Sequence, residues 1–135
     1  MNNSYNISND ILAISYYVNK NNWQDVSKTN YHRILYFSAT LSPIFAPDYN
    51  WKYYFSNTLF GPYNSEISDS LQRLSVKGFI KVTERKVSVN RVFESYCITE
   101  KGIKLCENVL FKIEAEIKKY ICFSVIVKVL SIYGS

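Results

Sequence analysis

Apolar residues recur along this chain with a spacing that changes from segment to segment, and each change marks an element. Ile11, Ile14 and Val18 share one side of a helix predicted over 10–18, with Leu12 and Tyr16 beside them and Asn9 or Asp10 as its cap. Residues 19–22 are a polar stop, and 23–28 a linker or short turn. A second helix is predicted over 29–42. Its positions Ile34, Leu35, Tyr36, Phe37, Ala39 and Leu41 leave so little polar surface that it should be covered on most sides. Pro43 and Pro47 bracket its end. The stretch 48–60, with Tyr49, Trp51, Tyr53, Tyr54, Phe55 and Phe60, has an ambiguous period. A short helix capped by Asp48, then an extended approach to Gly61, is the expected path.

The clearest pattern follows. Gly61 permits a tight turn and Pro62 excludes regular helix just before it. Asn64 or Ser65 can then accept from a free N–H of the first helical turn, with Glu66 placed where the helix dipole favours negative charge. Ile67, Leu71 and Leu74 make one apolar stripe, and Asp69, Gln72 and Arg73 fall opposite. Gly78 suits the left-handed position that ends a helix. Two strands are predicted at about 79–85 and 91–98, antiparallel, joined by a basic turn. Thr99 then caps a long helix in which Ile103, Cys106, Leu110, Ile113, Ile117 and Tyr120 form a seam spaced by threes and fours. From 121 the pattern inverts: Ser124, Lys128 and Ser131 make a narrow polar stripe on an otherwise apolar helix.

Helix, strand, turn, strand and helix in that order are the plan of a winged helix. The expected fold is α+β, mostly helical, with a winged-helix-like core, a two-stranded β-wing and a long C-terminal helical segment. A chain of 135 residues is one domain by its length. It divides into a polar arm at 1–9, helices plus the winged-helix core at 10–102, and C-terminal helices at 103–135.

Charge sharpens this plan. The formal net charge is +5, and Lys77, Lys81, Arg85, Lys86 and Arg91 against Glu84 place +4 of it in one stretch. A basic wing suits phosphates, and it equally suits a solvated hairpin guarded by lysines. In a DNA-reading winged helix, Gln72, Arg73 and Lys77 of the helix and Lys81, Arg85, Lys86 and Arg91 of the wing would make the contacts. That helix carries Glu66 and Asp69 against Arg73 and Lys77, so its own balance is zero.

Catalytic and metal chemistry find no foothold. Cys97, Cys106 and Cys122 show no CxxC spacing, and with His32 the only histidine no metal or other cofactor is expected. The cysteines read as small buried hydrophobes in a reducing cytoplasm. Glu114 and Glu116 point to different faces of a helix and make a poor carboxylate pair. No phosphate-cradling glycine loop occurs. No enzyme activity and no small-molecule substrate are expected. The start carries no signal-peptide pattern, and the apolar stretch 120–133 is too short to span a bilayer, so a soluble, cytoplasmic protein without a membrane partner is expected. The excess of apolar and aromatic surface in 49–60 and 121–133 points instead to a protein interface, with Tyr49, Trp51, Tyr53, Tyr54, Phe123, Val127 and Leu130 as its candidates, the alternative being a helical layer in which these segments and the 103–120 seam pack on one another.

The order of motifs resembles a loose bacterial group. Arg33-Ile34-Leu35-Tyr36-Phe37, then Phe60-Gly61-Pro62-Tyr63-Asn64-Ser65-Glu66-Ile67 with Leu71, Leu74 and Gly78-Phe79-Ile80, and finally Ile98-Thr99-Glu100-Lys101-Gly102 are similar to Panacea antitoxin-like domains. They are similar also to the small middle components of three-component ABC-ATPase systems, including the small subunit of Lamassu-type anti-phage defence. The resemblance covers about 29–102. It implies a non-enzymatic accessory subunit of an antiviral defence complex, partnered by a large ABC/SMC-like ATPase and an effector, in an assembly that senses or binds double-stranded DNA. It carries over no catalytic residues. A sequence-specific DNA-binding regulator and a toxin-neutralising antitoxin are the alternatives. Members of the group often continue past the position of Tyr133-Gly134-Ser135.

Overall fold

Ile7, Ile11, Ile14 and Val18 form one fully buried line, and the helix that carries them, α1, spans Asn3–Lys20. The computed structural model describes residues 3–24, 26–45, 55–58 and 61–133. After α1 come α2 (Lys28–Phe45), a short hairpin of β1 (Ser56–Thr58) and β2 (Gly61–Tyr63), and α3 (Ser65–Val76). The wing follows as β3 (Ile80–Ser88) and β4 (Arg91–Ile98), then α4 (Glu100–Asn108), two 3-10 turns at Leu110–Lys112 and Glu114–Glu116, and α5 (Ile117–Tyr133). The protein is thus α+β and mostly helical, with a two-stranded wing on a winged-helix-like core. Helix α1 packs against α3, α4, α5 and β4, so it is the element around which the others assemble.

The α1 start corrects the expected one at residue 10. Ile7 lies four positions before Ile11, so burying it outweighs the weak helix propensity of the Asn and Ser around it. Asp10 is therefore no cap; it sits inside the helix and is fully buried. The helix ends in a Schellman turn, with Asn22 at φ 56 and Trp23 N–H bonded to the Val18 carbonyl at 3.1 Å. Val26 then makes a single antiparallel bridge to Tyr96, a one-residue third strand beside the wing. Helix α2 runs past Pro43 to Phe45. It buries Tyr31, Ile34, Leu35 and Ser38, while Tyr36 and Phe37 stay partly exposed, so its cover is less complete than expected.

The launch of α3 forms as the sequence predicts. Asn64 is its cap, the Oδ1 accepting from Glu66 N–H at 2.8 Å. Gly61 and Pro62 lie in β2 and not in a turn, the strand pairing Ser56–Thr58 against Gly61–Tyr63. The proposed helix from Asp48 falls outside the described residues. Ile67, Leu71 and Leu74 are buried with Ser70. At the far end Gly78 has φ +82, and Phe79 N–H reaches back to the Leu74 carbonyl at 2.9 Å. Wing register runs from Ile80 opposite Ile98 to Lys86 opposite Val92, with a bulge before Ser88. Beyond its base the wing is nearly all solvent-exposed.

Thr99 caps α4, its Oγ1 accepting from Gly102 N–H at 3.2 Å. Gly102 is buried where α4 crosses the wing base. A Cβ there would collide with the Phe79 carbonyl oxygen and come within 2.6 Å of Ile98 Cγ1. The predicted long helix breaks: α4 stops at Asn108, and two 3-10 turns redirect the chain before α5. The expected seam breaks with it. Cys106, Leu110 and Tyr120 are buried, whereas Ile113 and Ile117 are exposed. The turn lets α5 lie against α1 and α2 and bury Lys119, Tyr120, Cys122, Phe123, Ile126 and Val127.

Lys119 answers Asp10. Its Nζ lies 2.8 Å from Asp10 Oδ1 and 2.7 Å from Glu116 Oε2, with the Lys119 and Asp10 side chains only 3% and 0% exposed. Burial pushes the Asp10 carboxyl up to about 7, Lys119 only partly offsetting it and Glu116 adding to the rise. A carboxyl raised in the folded state adds stability that is complete below its ordinary pKa near 3.8 and is lost as pH climbs through about 7.

Three outcomes are expected. Gly102→Ala, which on an open helix would gain about 1 kcal/mol, should here cost about 1–3 kcal/mol in chemical denaturation. Lys119→Met should cost about 1–3 kcal/mol, and adding Asp10→Leu should recover most of the loss, because the single change leaves a buried carboxyl that must take up a proton and has lost its partner. Compared with Asp10→Asn, the wild-type protein should gain stability as pH is lowered from about 7.5 to about 4.

Candidate functional site

Two surfaces gather the residues that the sequence singles out. On α3, Asp69, Gln72, Arg73, Val76 and Lys77 line a shallow, open depression of about 350 Å³. Gln72, Arg73 and Lys77 are all exposed there, as expected for groove-facing positions. Arg73 is already engaged, however, its Nη2 donating to Ser70 Oγ at 3.1 Å and to Ser8 Oγ at 3.3 Å. Lys101, which charge counting over 77–91 omits, belongs to this end of the helix. Its Nζ donates to the Lys77 carbonyl at 2.8 Å and lies 4.7 Å from the centre of the Phe79 ring, placing a cation on the negative end of the α3 dipole.

The wing divides its charges. Because successive strand residues point to opposite faces, the register puts Lys81, Thr83 and Arg85 on one face with Cys97, Ser95 and Phe93. On the other face Ile80, Val82, Ile98 and Tyr96 enter the core at the base, and beyond them come Glu84 opposite Glu94 and Lys86 opposite Val92. The charge that lies in one stretch of the chain is therefore divided between two faces of the wing. Lys81 and Arg85 share a face, Arg85 lying 5.2 Å from the Phe93 ring centre, while Lys86 stands beside a carboxylate pair. Arg91 opens β4 at the bulge, opposite Ser88. Glu94 lies outside 77–91, and only strand pairing brings it next to Glu84.

The second surface is α5. Phe123 and Val127, expected to face a partner, are wholly buried, and Leu130 is half-buried against the core. The outward residues are instead Ile117, Ile121, Val125, Val129 and Ile132, with Ile121 52% and Ile132 62% exposed. Ile113 and Val109, both exposed, precede them. Tyr49, Trp51, Tyr53 and Tyr54 lie outside the described residues.

A smaller cleft of about 290 Å³ opens between the 19–24 turn and the wing base, lined in part by Asn19, Trp23, Gln24, Thr83, Ser95 and Cys97. Its polar lining is uncharged. Cys97 is exposed, which corrects the expectation that all three cysteines are buried. Cys106 and Cys122 are inside, and burial pushes the Cys106 thiol up to about 12, far from the reactive thiolate. His32 is buried between two helices. Its Nδ1 lies 2.8 Å from the Lys28 carbonyl and its Nε2 3.0 Å from the Asn64 carbonyl, with Tyr63 stacked on the ring. The first contact stays within α2, and the second joins α2 to the cap of α3. Among the described residues no three His, Cys, Asp or Glu side chains gather as a metal site requires, and no helix is long and apolar enough to cross a membrane.

The chain matches no known family model, no curated protein and no solved structure. What the geometry offers chemically is contact: a basic, partly aromatic wing face and an aliphatic helix face.

If the split across the wing governs its charge, Lys81→Glu with Arg85→Glu should weaken binding to duplex DNA of any sequence and lower the slope of log K against log salt by about two or more. Lys86→Glu, set beside Glu84 and Glu94, should change the slope by less than about one.

Proposed function

We propose that this protein is a non-enzymatic winged-helix accessory subunit that assembles with a large ABC/SMC-like ATPase, and that its wing helps the assembly contact double-stranded DNA. The observation that carries the reading is the uncovered aliphatic row of α5. A helix whose inner face is core and whose outer face is also apolar needs a second cover. The basic wing face with Lys81, Arg85 and Phe93 supports the DNA part, since phosphate contacts position a complex without reading sequence. The resemblance of the 29–102 motifs to middle components of bacterial defence systems supports the choice of partner and an antiviral role in the cytoplasm.

A sequence-specific DNA-binding regulator is favoured by one observation, the exposure of Gln72 and Lys77 on α3. Asp69 on the same face and the engagement of Arg73 by Ser8 and Ser70 weigh against it. The test is purification of the tagged chain from its native host with mass spectrometry of what comes with it. A large coiled-coil ATPase in fixed stoichiometry is expected. An isolated chain that binds one DNA sequence at nanomolar concentration would replace the assembly reading with the regulator.

A further inference from the structure

The outward face of α5 has a definite shape and charge. Ile117, Ile121, Val125, Val129 and Tyr133 recur every fourth residue, and Ile132 lies beside the last of them. From 117 to 132 this spans about 23 Å at the rise of an α-helix, the length of four turns and far more than one side chain could fill. The five aliphatic residues are all β-branched, so their rotamers are nearly fixed before contact and little freedom is lost on covering them. Exposed Lys118 and Lys128 lie along this row, about 15 Å apart. Among the described residues neither has an ion-pair partner, and α5 contains no Asp or Glu.

We infer that this face is covered by a single amphipathic helix of a partner protein, with an aliphatic row of its own and carboxylates along its margins to meet Lys118 and Lys128; the inference rests on reading the chain as an assembly subunit. Two steps lead to that occupant. The row and its length match helix-on-helix packing, in which ridges of side chains fill grooves over several turns. The charges then select among helices, because a desolvated lysine needs a carboxylate and a cationic margin opposite it is repelled. A second copy of α5 would bring the same two lysines and no acid. An anionic lipid surface would meet two cations and a single aromatic, Tyr133, at the far end of the row, which is weak attachment.

The experiment places a photoreactive phenylalanine analogue at Val125 in the full chain, in its host cells, and sequences the segment it captures. A control at exposed Lys104 sets the background. An amphipathic helical segment with Asp or Glu at its margins is expected. Lys118→Glu with Lys128→Glu should cut its capture about tenfold or more while leaving the melting temperature unchanged, and reversing the facing carboxylates to Lys should restore it. Should the double variant not fold, Lys118→Gln with Lys128→Gln at low and high salt supplies the same comparison. Capture of a second copy, capture of a segment without marginal acids, capture no greater than at Lys104, or sedimentation of the chain with phosphatidylserine vesicles would each overturn the inference. An acidic-margined helix from a protein other than an ATPase would uphold the inference and overturn the assembly with an ATPase. Co-purification of the ATPase undiminished by the charge reversal would do the opposite.

Discussion

The ion pair between Asp10 and Lys119 decides how the helices sit on one another. Helix α5 is apolar nearly all the way round, so burial alone gives no preference for one face over another. A lysine that must reach a buried carboxylate does give one. With Lys119 held against Asp10 in the middle of α1, Tyr120, Cys122, Phe123, Ile126 and Val127 turn inward, and Ile117, Ile121, Val125 and Val129 are left outside. Two charges out of water make a poor source of stability, but a strong determinant of rotation and register. The break at 109–116 turns the chain between α4 and α5, and in the arrangement that results Lys119 meets Asp10.

The sequence showed some parts of this arrangement plainly and others not at all, and the difference is one of range. Asn64, Gly78 and Thr99 act on backbone groups within a few residues, so their roles as cap, left-handed terminus and cap could be read without knowing the fold. Wing pairing was legible for the same reason. The start of α1 depended on whether Ile7 would find a core, and the break after Asn108 carries no proline or glycine to announce it. The outward face of α5 was least legible. Ser124, Lys128 and Ser131 suggested where water should be, yet the selecting contact is with a residue 109 positions earlier in the chain.

Charge shows the same limit. Counted along the chain, residues 77–91 are a basic cluster; folded into a hairpin, they separate by face, and Glu94 crosses over to stand opposite Glu84. Like charges directly opposite each other weaken a strand pair. Tyr96 answers part of this by donating its hydroxyl to Glu94 at 3.1 Å. Only the Lys81 and Arg85 face is then free of carboxylates along its paired positions. A sum of charges could identify the wing as electropositive, but the direction in which it presents that charge comes from the pleat.

Both surfaces carry marked departures from locally favourable choices. The wing exposes Val87, Val89 and Val92 near its turn and opposes two glutamates, although it buries almost nothing beyond its base. Helix α5 exposes five aliphatic residues along one line. Around α1, by contrast, caps, turns and buried rows agree with one another, and even the buried charge is paired. We read the core as the seat of stability and the two surfaces as where the proposed contacts are made. The wing can be altered or displaced at little cost to the core, whereas α5 is held by its inner face at the rotation that Asp10 and Lys119 set. A partner proposed for the wing should therefore meet an adaptable surface, and one proposed for α5 a rigid and selective one.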